Sequence, residues 1–510
     1  MVTTTMTAAL SGLDGFAVTV ESFSAKGSLP TIEIIGLPDT SVKEALERIH
    51  AACAANDLPF HKGRTTINLA PADRKKVGSS YDLAILLSLL KQNVLSEIDL
   101  TKKCFIGELS LSGEVRACRG ALPLSLAALK AGCTEIYVPA CVAREAAVVQ
   151  GITVYGVSHI KELLAHLSGD APLSPTPFEG VETVERARPA VDFADIRAQS
   201  LAKRALEIAA AGNHNVLLIG PPGSGKSLLA NAMCSILPEM TFDEMVEATK
   251  IYSVSGLLHE GEALITTRPF RAPHHTTSPA GLAGGGTIPA PGEISLASGG
   301  VLFLDELPEF DKRALQILRQ PMEEHTVTVT RVGGKLTFPA DFMLVCAMNP
   351  CPCGYYGSPD HVCTCTPAAI ERYQAKISGP LLDRIDLQIE VPAVTFGEIT
   401  AGRDAMTSES VRKRVNAARK FAARRLKSVG ATSNGRLTGE ETKQLCVYTD
   451  EAREILSQAF ERLGLSARGY DRILRVARTI ADLEESELIE AAHILEAIQL
   501  RALDRKYFEH

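Results

Sequence analysis

The stretch NVLLIGPPGSGKSLLANAM, residues 215–233, constrains the fold of this chain more than any other. An apolar run typical of a buried strand leads into Gly220-x-x-x-x-Gly225-Lys226-Ser227, and a helical pattern follows. Glycines here let backbone N–H groups surround phosphates at a helix N-terminus, where the helix dipole favours anions. The stretch therefore predicts an ATP-binding loop in an α/β domain.

The residues of this loop have separate predicted roles. The ammonium group of Lys226 would reach the β- and γ-phosphates, and the Ser227 hydroxyl would bind Mg²⁺. The predicted nucleotide-binding residues of the loop are Gly220, Pro221, Pro222, Gly223, Ser224, Gly225, Lys226 and Ser227.

Two further apolar strands end in polar residues. GGVLFLDELPEF places Asp305 and Glu306 after a strand, where Asp305 would hold Mg²⁺ through water and Glu306 would polarise the attacking water. DFMLVCAMN ends at Asn349, which would orient that water. Asn349 alone is weak evidence, because asparagine before proline also starts turns.

The organisation of the chain predicts several domains, since 510 residues exceed one ordinary hydrophobic core. Strand-like and helical runs mix over residues 1–167, and a proline-rich linker covers 168–190. The α/β pattern returns over 191–395, and residues 396–510 carry helical periodicity. The predicted fold is therefore multidomain α/β with a helical C-terminal region.

Composition excludes some functions. No apolar run is long enough for a transmembrane helix, and the N-terminus lacks a secretion signal, so we expect a cytoplasmic protein without a membrane partner. A net charge of −7 means that any nucleic-acid contact must come from local basic features.

CPCGYYGSPDHVCTC, residues 351–365, contains four of the twelve cysteines. Cys351, Cys353, Cys363 and Cys365 suit a closed, tetrahedral, structural Zn²⁺ site, and the glycines between the pairs permit a compact loop. A reduced cysteine-rich loop and a disulfide remain alternatives.

Three basic features of the sequence are candidate nucleic-acid contacts or metal ligands. EHTVTVTRVGGKLTFPADF predicts a β-hairpin with Arg331 and Lys335 beside its turn, either as DNA contacts or as ordinary solvated charges. The basic helix Val411–Leu426 is more typical of a solvated face than of a DNA contact. His274 and His275, in a glycine- and proline-rich loop, are adjacent and are not expected to bind a metal.

These motifs carry a family resemblance. The phosphate loop, the Asp305-Glu306 pair, Asn349 and SGPLLDRIDLQIEV resemble AAA+ ATPases of the branch that contains magnesium chelatase and MCM helicases. FRAPHHTTSPAGLAGGGTIPAPGEISLASGGVLFLDELPEF and NPCPCGYYG resemble the ComM-type magnesium chelatase-like proteins over essentially the whole chain. The resemblance implies a homohexameric, ATP-driven branch-migration helicase that acts on single-stranded and branched DNA during natural transformation.

The resemblance also implies roles for individual residues. Arg384, in LLDRID, matches the arginine finger that acts on the neighbouring subunit's nucleotide, although the residues alone fit an ion pair at a helix end equally well. Arg468 matches the sensor-2 arginine of the helical lid, with Arg472 and Arg475 as close rivals. The hairpin occupies the position at which such helicases insert a hairpin into the central channel.

The N-terminal motifs KKVGSSYDLAILLSLL and CFIGELSLSGEVRACRGALPLSLAALKAGC resemble a Lon-protease-type α+β domain. Ser80 falls at the nucleophile position, but the position of the partner lysine is Leu122, or Pro123 with a one-residue slip. The next lysine is Lys130. A serine without its base is a weak nucleophile, so we expect no peptidase activity.

Two other functions remain open. One is a magnesium chelatase motor subunit, and the other is an ATP-dependent chaperone that remodels proteins.

Overall fold

The computed structural model describes residues 2–25, 31–60, 63–180, 191–286, 289–331, 334–359, 361–400, 404–501, 503 and 507. The chain divides into two compact units, one of Met1–Arg186 with Phe242–Thr266 and one of Ala187–Thr241 with Thr267–His510. None of the helices in these described ranges combines the length and apolar composition needed to cross a bilayer.

The first unit is built on a mixed sheet. Its described strands lie in the order β3-β4-β2-β1-β5-β8-β9. β1 and β2 form an antiparallel hairpin with Ser11 opposite Asp14, whereas β5, β8 and β9 run parallel. The strands are β1 (Val2–Ser11), β2 (Asp14–Ala25), β3 (Thr31–Ile35), β4 (Arg64–Ala70), β5 (Lys103–Phe105), β6 (Glu108–Leu109), β7 (Val115–Arg116), β8 (Glu135–Pro139) and β9 (Thr153–Val157).

Helices cover this sheet through apolar faces. α2 buries every one of its residues, because DLAILLSLL is apolar around most of its circumference. Leu122 is buried in the first turn of α3, while Lys130 lies exposed at its end. The absence of peptidase activity stays a prediction. The helices are α1 (Thr40–Ala55), α2 (Asp82–Leu90), α3 (Ala121–Lys130), α4 (Ala143–Ala146) and α5 (Ile160–Ser168).

A segment from the middle of the chain belongs to the first unit. Phe242–Thr266, which lies within the range predicted for the ATPase core, contributes a helix that packs against α3. Within the unit, Ser253 Oγ donates a hydrogen bond to Glu145 Oε1 at 2.5 Å, and the Leu122 N–H donates to the same oxygen at 2.6 Å. The sequence pattern did not predict this placement.

The second unit is built on a parallel sheet. Its described strands lie in the order β11-β14-β17-β10-β18, and every pair runs parallel. The central strands are fully buried, as expected for strands covered by helices on both faces. These strands are β10 (Val216–Ile219), β11 (Phe270–Arg271), β14 (Val301–Leu304), β17 (Met343–Met348) and β18 (Leu387–Glu390), with short ladders β12 (Gly284–Gly285) to β13 (Ala290–Pro291) and β15 (Thr326–Arg331) to β16 (Gly334–Pro339).

Helices from both ends of the second unit share one apolar core with the sheet, so the C-terminal helices are not a separate unit. The predicted helical C-terminal region is confirmed. In chain order the helices, with the one from the first unit, are α6 (Ser200–Gly212), α7 (Lys226–Ile236), α8 (Phe242–Ser255, first unit), α9 (Pro279–Ala283), α10 (Glu293–Leu296), α11 (Lys312–Ile317), α12 (Pro321–Glu324), α13 (Pro367–Gln374), α14 (Gly379–Leu382), α15 (Phe396–Thr400), α16 (Ser408–Leu426), α17 (Gly439–Leu445), α18 (Asp450–Leu463), α19 (Ala467–Leu483) and α20 (Ala491–Gln499).

Candidate nucleotide site and cysteine cluster

The predicted nucleotide residues converge at one edge of the parallel sheet. β14, β17 and β10 are neighbours and run parallel, so their carboxyl ends meet. Asp305 and Glu306 follow β14, Asn349 follows β17, and the phosphate loop follows β10. Ligands of open α/β sheets bind at this edge, so the topology brings together residues that are more than a hundred positions apart.

Lys226 lies at the centre of this edge. Its Nζ donates hydrogen bonds to the carbonyl oxygens of Gly220 and Pro221 at 2.8 and 2.9 Å, and to Asn349 Oδ1 at 3.1 Å. Burial lowers the pKa of Lys226, while the charges of Asp305 and Glu306 oppose that shift. The Lys226 residue is 9% exposed, and its Nζ makes three hydrogen bonds beside the loop that would hold phosphates.

The side-chain oxygens of Ser227 and Asp305 lie next to each other beside the phosphate loop. Ser227 Oγ donates to Asp305 Oδ2 at 2.7 Å, and the backbone N–H of Glu306 donates to Asp305 Oδ1 at 2.9 Å. Mg²⁺ prefers oxygen ligands and usually takes only one or two from the protein, so these residues fit a magnesium ion bound together with nucleotide phosphates.

The histidine pair contributes a contact that the sequence reasoning missed. His275 Nδ1 lies 3.4 Å from Glu306 Oε2, whereas His274 Nδ1 lies 2.8 Å from the Thr276 hydroxyl. Glu306 itself has a left-handed backbone, with φ 51°, of the kind found at functional sites. Within the described residues, neither histidine lies in a group of potential metal ligands, and the expectation that they bind no metal stays a prediction. No local sequence signal linked His275 to Glu306.

The four cysteines of the loop come together. Sγ of Cys351 lies 3.4 Å from Sγ of Cys353 and 3.7 Å from Sγ of Cys363, and the latter two sulfurs are 3.5 Å apart. Together with Sγ of Cys365, these sulfurs make a group of four that lie within 4.8 Å of one another. All four cysteines are free thiols. Tetrahedral zinc with Zn–S bonds of about 2.3 Å places its sulfurs about 3.8 Å apart. The arrangement fits a structural zinc site, and the disulfide alternative is not the one seen.

The arginine candidates lie at the opposite edge of the sheet. The backbone oxygen of Arg384 accepts a hydrogen bond at 2.9 Å from Asn215, which precedes β10, whereas the phosphate loop follows that strand. Arg384 also forms an ion pair with Glu323, as the ion-pair alternative requires. Arg384 and Arg468 therefore lie across the length of β10 from the phosphate loop of their own chain.

Three further arginines line the same pocket as Arg384 and Arg468. They are Arg436, Arg472 and Arg475. Among the described residues, Arg384 Nε, Arg472 Nη1 and Arg475 Nε have no hydrogen-bond partner. Burial lowers the pKa of Arg472 to about 10, opposed by nearby carboxylates. Arg384 and Arg472 also form ion pairs with Glu323 and Asp386, and the remaining N–H groups without hydrogen-bond partners favour an anionic ligand in this pocket.

The predicted β-hairpin is confirmed as a pairing of β15 with β16, in which Thr330 lies opposite Lys335. One face of the hairpin is buried through Val327, Val329 and Phe338. Lys335 is exposed to solvent. The turn residues 332–333 and the side chain of Arg331 lie outside the described residues. The DNA role of Arg331 and Lys335 stays a prediction.

Several basic side chains of helix α16 form contacts with other helices of the second unit. Three of its arginines pair with neighbours at 2.5–2.8 Å, which favours the structural interpretation of this helix. The pairs are Arg414 with Glu207, Arg419 with the Ala210 carbonyl, and Arg425 with Asp482.

Three family models match successive parts of the chain. The model described as subunit ChlI of Mg-chelatase matches residues 20–141, magnesium chelatase subunit ChlI matches 192–399, and the C-terminal model of the same subunit matches 405–501. The described parallel sheet with its phosphate loop lies in the second of these ranges.

Two curated relatives are similar to this chain over nearly its whole length, and a third is similar to part of it. The uncharacterized protein YifB of Escherichia coli is 40% identical over 507 residues, covering 98% of this chain and 97% of YifB. The competence protein ComM of Haemophilus influenzae is 40% identical over 508 residues, covering 97% of this chain and 96% of ComM. The magnesium-chelatase 67 kDa subunit of Chlorobaculum parvum is 34% identical over 164 residues, or 31% of this chain and 23% of that subunit.

Proposed function

Since the chain belongs to the magnesium chelatase-like family that includes YifB and ComM, we propose that it is an ATP-driven DNA motor. It hydrolyses ATP in a homohexameric ring in the cytoplasm. The motion that results drives branch migration and unwinding of DNA during recombination of incoming DNA in natural transformation.

The observation that carries the ATPase part is the meeting of Lys226, Ser227, Asp305, Glu306 and Asn349 at one edge of the sheet. Lys226 binds the β- and γ-phosphates, and Glu306 accepts a proton from the water that Asn349 orients. Ser227 and Asp305 would hold Mg²⁺, which when bound would neutralise charge on the phosphate oxygens.

The position of the arginine pocket supports a ring. Arg384 and Arg468 lie at the sheet edge opposite their own phosphate loop, so they can reach a nucleotide only when another copy presents one. A ring that places each arginine pocket against the next copy's phosphates satisfies this requirement. The unpaired N–H groups of the pocket fit such an anionic partner.

The DNA part is supported by the hairpin and by a relative. β15 and β16 form a two-stranded ladder outside the parallel sheet, with Lys335 exposed. In a ring, a basic hairpin from each copy binds the DNA backbone without sequence preference. ComM, which matches over nearly its whole length, is a competence protein by name.

A second candidate is a motor subunit of magnesium chelatase, because the family models carry that description. The similarity to the Chlorobaculum parvum subunit covers 31% of this chain, whereas the similarity to YifB and ComM covers 97–98% of it. DNA is therefore the favoured substrate.

We expect the protein to convert a labelled four-way DNA junction into forked products with ATP and Mg²⁺. Lys226→Ala, which removes the phosphate contact, should abolish conversion. Lys335→Ala should keep basal ATP hydrolysis but lose its stimulation by DNA, because the nucleotide site is unchanged. Gel analysis of the junction and a coupled ATPase assay measure the two quantities.

Lys312→Ala provides the matched control for Lys335, because Lys312 is also exposed but lies on α11. It should behave like the wild type. ATP hydrolysis that DNA does not stimulate, with the junction left intact, would refute the DNA motor. Insertion of Mg²⁺ into a porphyrin by a chelatase complex would then test the second candidate.

His275→Ala is expected to raise ATP hydrolysis in the absence of DNA by at most about fivefold, since a partly exposed contact between such side chains is worth at most about 1 kcal/mol. Without the histidine, the Glu306 carboxylate is free to polarise water. His274→Ala is the control, because His274 contacts Thr276 rather than Glu306. A lower rate in His275→Ala would contradict this assignment.

A further inference from the structure

We propose that the metal-bound cysteine loop, residues 351–365, braces the phosphate loop, so that its metal ion sets the affinity for nucleotide. The proposal rests on the proposed ATPase function and adds to it a zinc ion that acts through the nucleotide site. Three sets of contacts around the loop support it.

The first contact joins the two loops directly. Gly354 lies between the two cysteine pairs and has a left-handed backbone, with φ 87°. A β-carbon at Gly354 would come within 2.5 Å of Cδ and 2.8 Å of Cγ of Pro222, the third residue of the phosphate loop. Only a hydrogen side chain lets the backbone of Gly354 approach the Pro222 ring this closely. The cysteine loop therefore forms one wall against the phosphate loop.

The second contact runs through the chain itself. Asn349, whose Oδ1 accepts a hydrogen bond from Lys226 at 3.1 Å, stands two residues before Cys351. Cys351 is completely buried, and the intervening Pro350 carbonyl accepts a hydrogen bond from Gln374 at 3.0 Å. A metal ion on Cys351 would therefore fix the backbone directly beside the residue that contacts Lys226.

The third set of contacts ties the far side of the loop to the sheet. The N–H of Tyr356 donates to Cys351 Sγ at 3.3 Å, and the Tyr356 ring packs edge-on against that of Tyr507, with centroids 6.3 Å apart. The Tyr507 hydroxyl donates to Glu390 at 3.0 Å, at the end of the strand next to β10. The cysteine loop thus contacts the phosphate loop on one side and, through Tyr507, the strand next to β10 on the other.

The metal supplies the rigidity that this arrangement needs. The sequence CPCGYYGSPDHVCTC has few apolar side chains with which to form a core of its own. Metal–thiolate bonds order such segments, because the binding free energy of zinc becomes folding free energy. Without the ion the loop would lose its fixed shape, and Pro222 and Asn349 would lose a common support.

The test measures metal content and nucleotide affinity of the full-length protein separately. We expect one zinc ion per chain by elemental analysis. Removal by a chelator that prefers zinc to magnesium, with Mg²⁺ present, should raise the Kd for a fluorescent ATP analogue about tenfold. Added Zn²⁺ should restore the affinity.

Gly354→Ala tests the contact without touching a ligand. We expect it to retain zinc and to bind the analogue about tenfold more weakly, because the new methyl group displaces Pro222. Gly357→Ala is the matched control, since it introduces a side chain at a similar backbone angle, φ 77°, in the same loop. It should bind the nucleotide more tightly than Gly354→Ala does.

Unchanged nucleotide affinity in the zinc-free wild type overturns the proposal, as does a protein that purifies without zinc and does not respond to it. The chelation experiment decides the matter even if Gly354→Ala fails to fold. If the affinity for ATP depends on zinc but the protein leaves DNA junctions intact, the DNA motor proposal fails and the role of the cysteine loop stands.

Discussion

Glu306→Gln is expected to slow ATP hydrolysis by about 10²- to 10⁴-fold while the affinity for ATP stays near the wild-type value. Glutamine keeps the size of the side chain but cannot accept a proton from the attacking water. Lys226 and Ser227, which hold the nucleotide in the proposed mechanism, are unchanged. Single-turnover hydrolysis of labelled ATP measures the rate, and titration with a fluorescent analogue measures the affinity.

Glu309→Gln is the control for this variant. Glu309 lies three residues further on and forms an exposed ion pair with Lys376 at 3.2 Å. It should hydrolyse ATP at nearly the wild-type rate. Wild-type hydrolysis in Glu306→Gln, or equal loss in both variants, would show that Glu306 is not the general base.

Arg384→Ala is expected to reduce ATP hydrolysis by about 10³- to 10⁵-fold, the range associated with an arginine that stabilises charge on the γ-phosphate. Because Arg384 lies at the sheet edge opposite its own phosphate loop, this loss would arise in the neighbouring subunit's site. Nucleotide binding to the isolated chain should therefore be unaffected.

Mixing variants separates this role from a structural one. Lys226→Ala subunits retain Arg384, and Arg384→Ala subunits retain a complete phosphate loop. Mixed rings should regain part of the ATPase activity that each variant lacks alone, because some interfaces then contain every group. Arg313→Ala, an exposed arginine on α11, is the control and should be active.

If mixing restores nothing and Arg384→Ala only lowers the unfolding temperature, the Glu323–Arg384 ion pair is the whole role of this residue. That outcome would support the alternative in which Arg384 is a salt-bridged helix-end residue.

Residues whose role depends on local chain geometry were predictable. A strand that runs into a glycine-rich turn and a helix needs only neighbours in sequence, so Lys226 and Ser227 could be assigned a phosphate site from their spacing. Asp305 and Asn349 each follow a buried strand, and parallel strands place such positions at one edge. The cysteine cluster was predictable because its four ligands lie within fifteen consecutive residues.

Contacts between distant segments were not predictable. His275 and Glu306 are 31 residues apart and meet because β11 and β14 are paired. The charges of α16 look available for DNA in the sequence, but several face acidic groups and a carbonyl of other helices. Side-chain pairing of this kind depends on how helices pack, which no periodicity reveals.

The sequence alone determined the chemistry of the strand ends, the thiol cluster and the amphipathic faces of the helices, since each follows from residue types at short spacing. Only the tertiary structure decided that Phe242–Thr266 packs into the first unit, that Arg384 lies away from its own phosphate loop, and that Gly354 contacts Pro222. Those positions follow from how whole layers of sheet and helix bury their apolar surfaces together. The packing of these layers depends on the entire core rather than on any one segment.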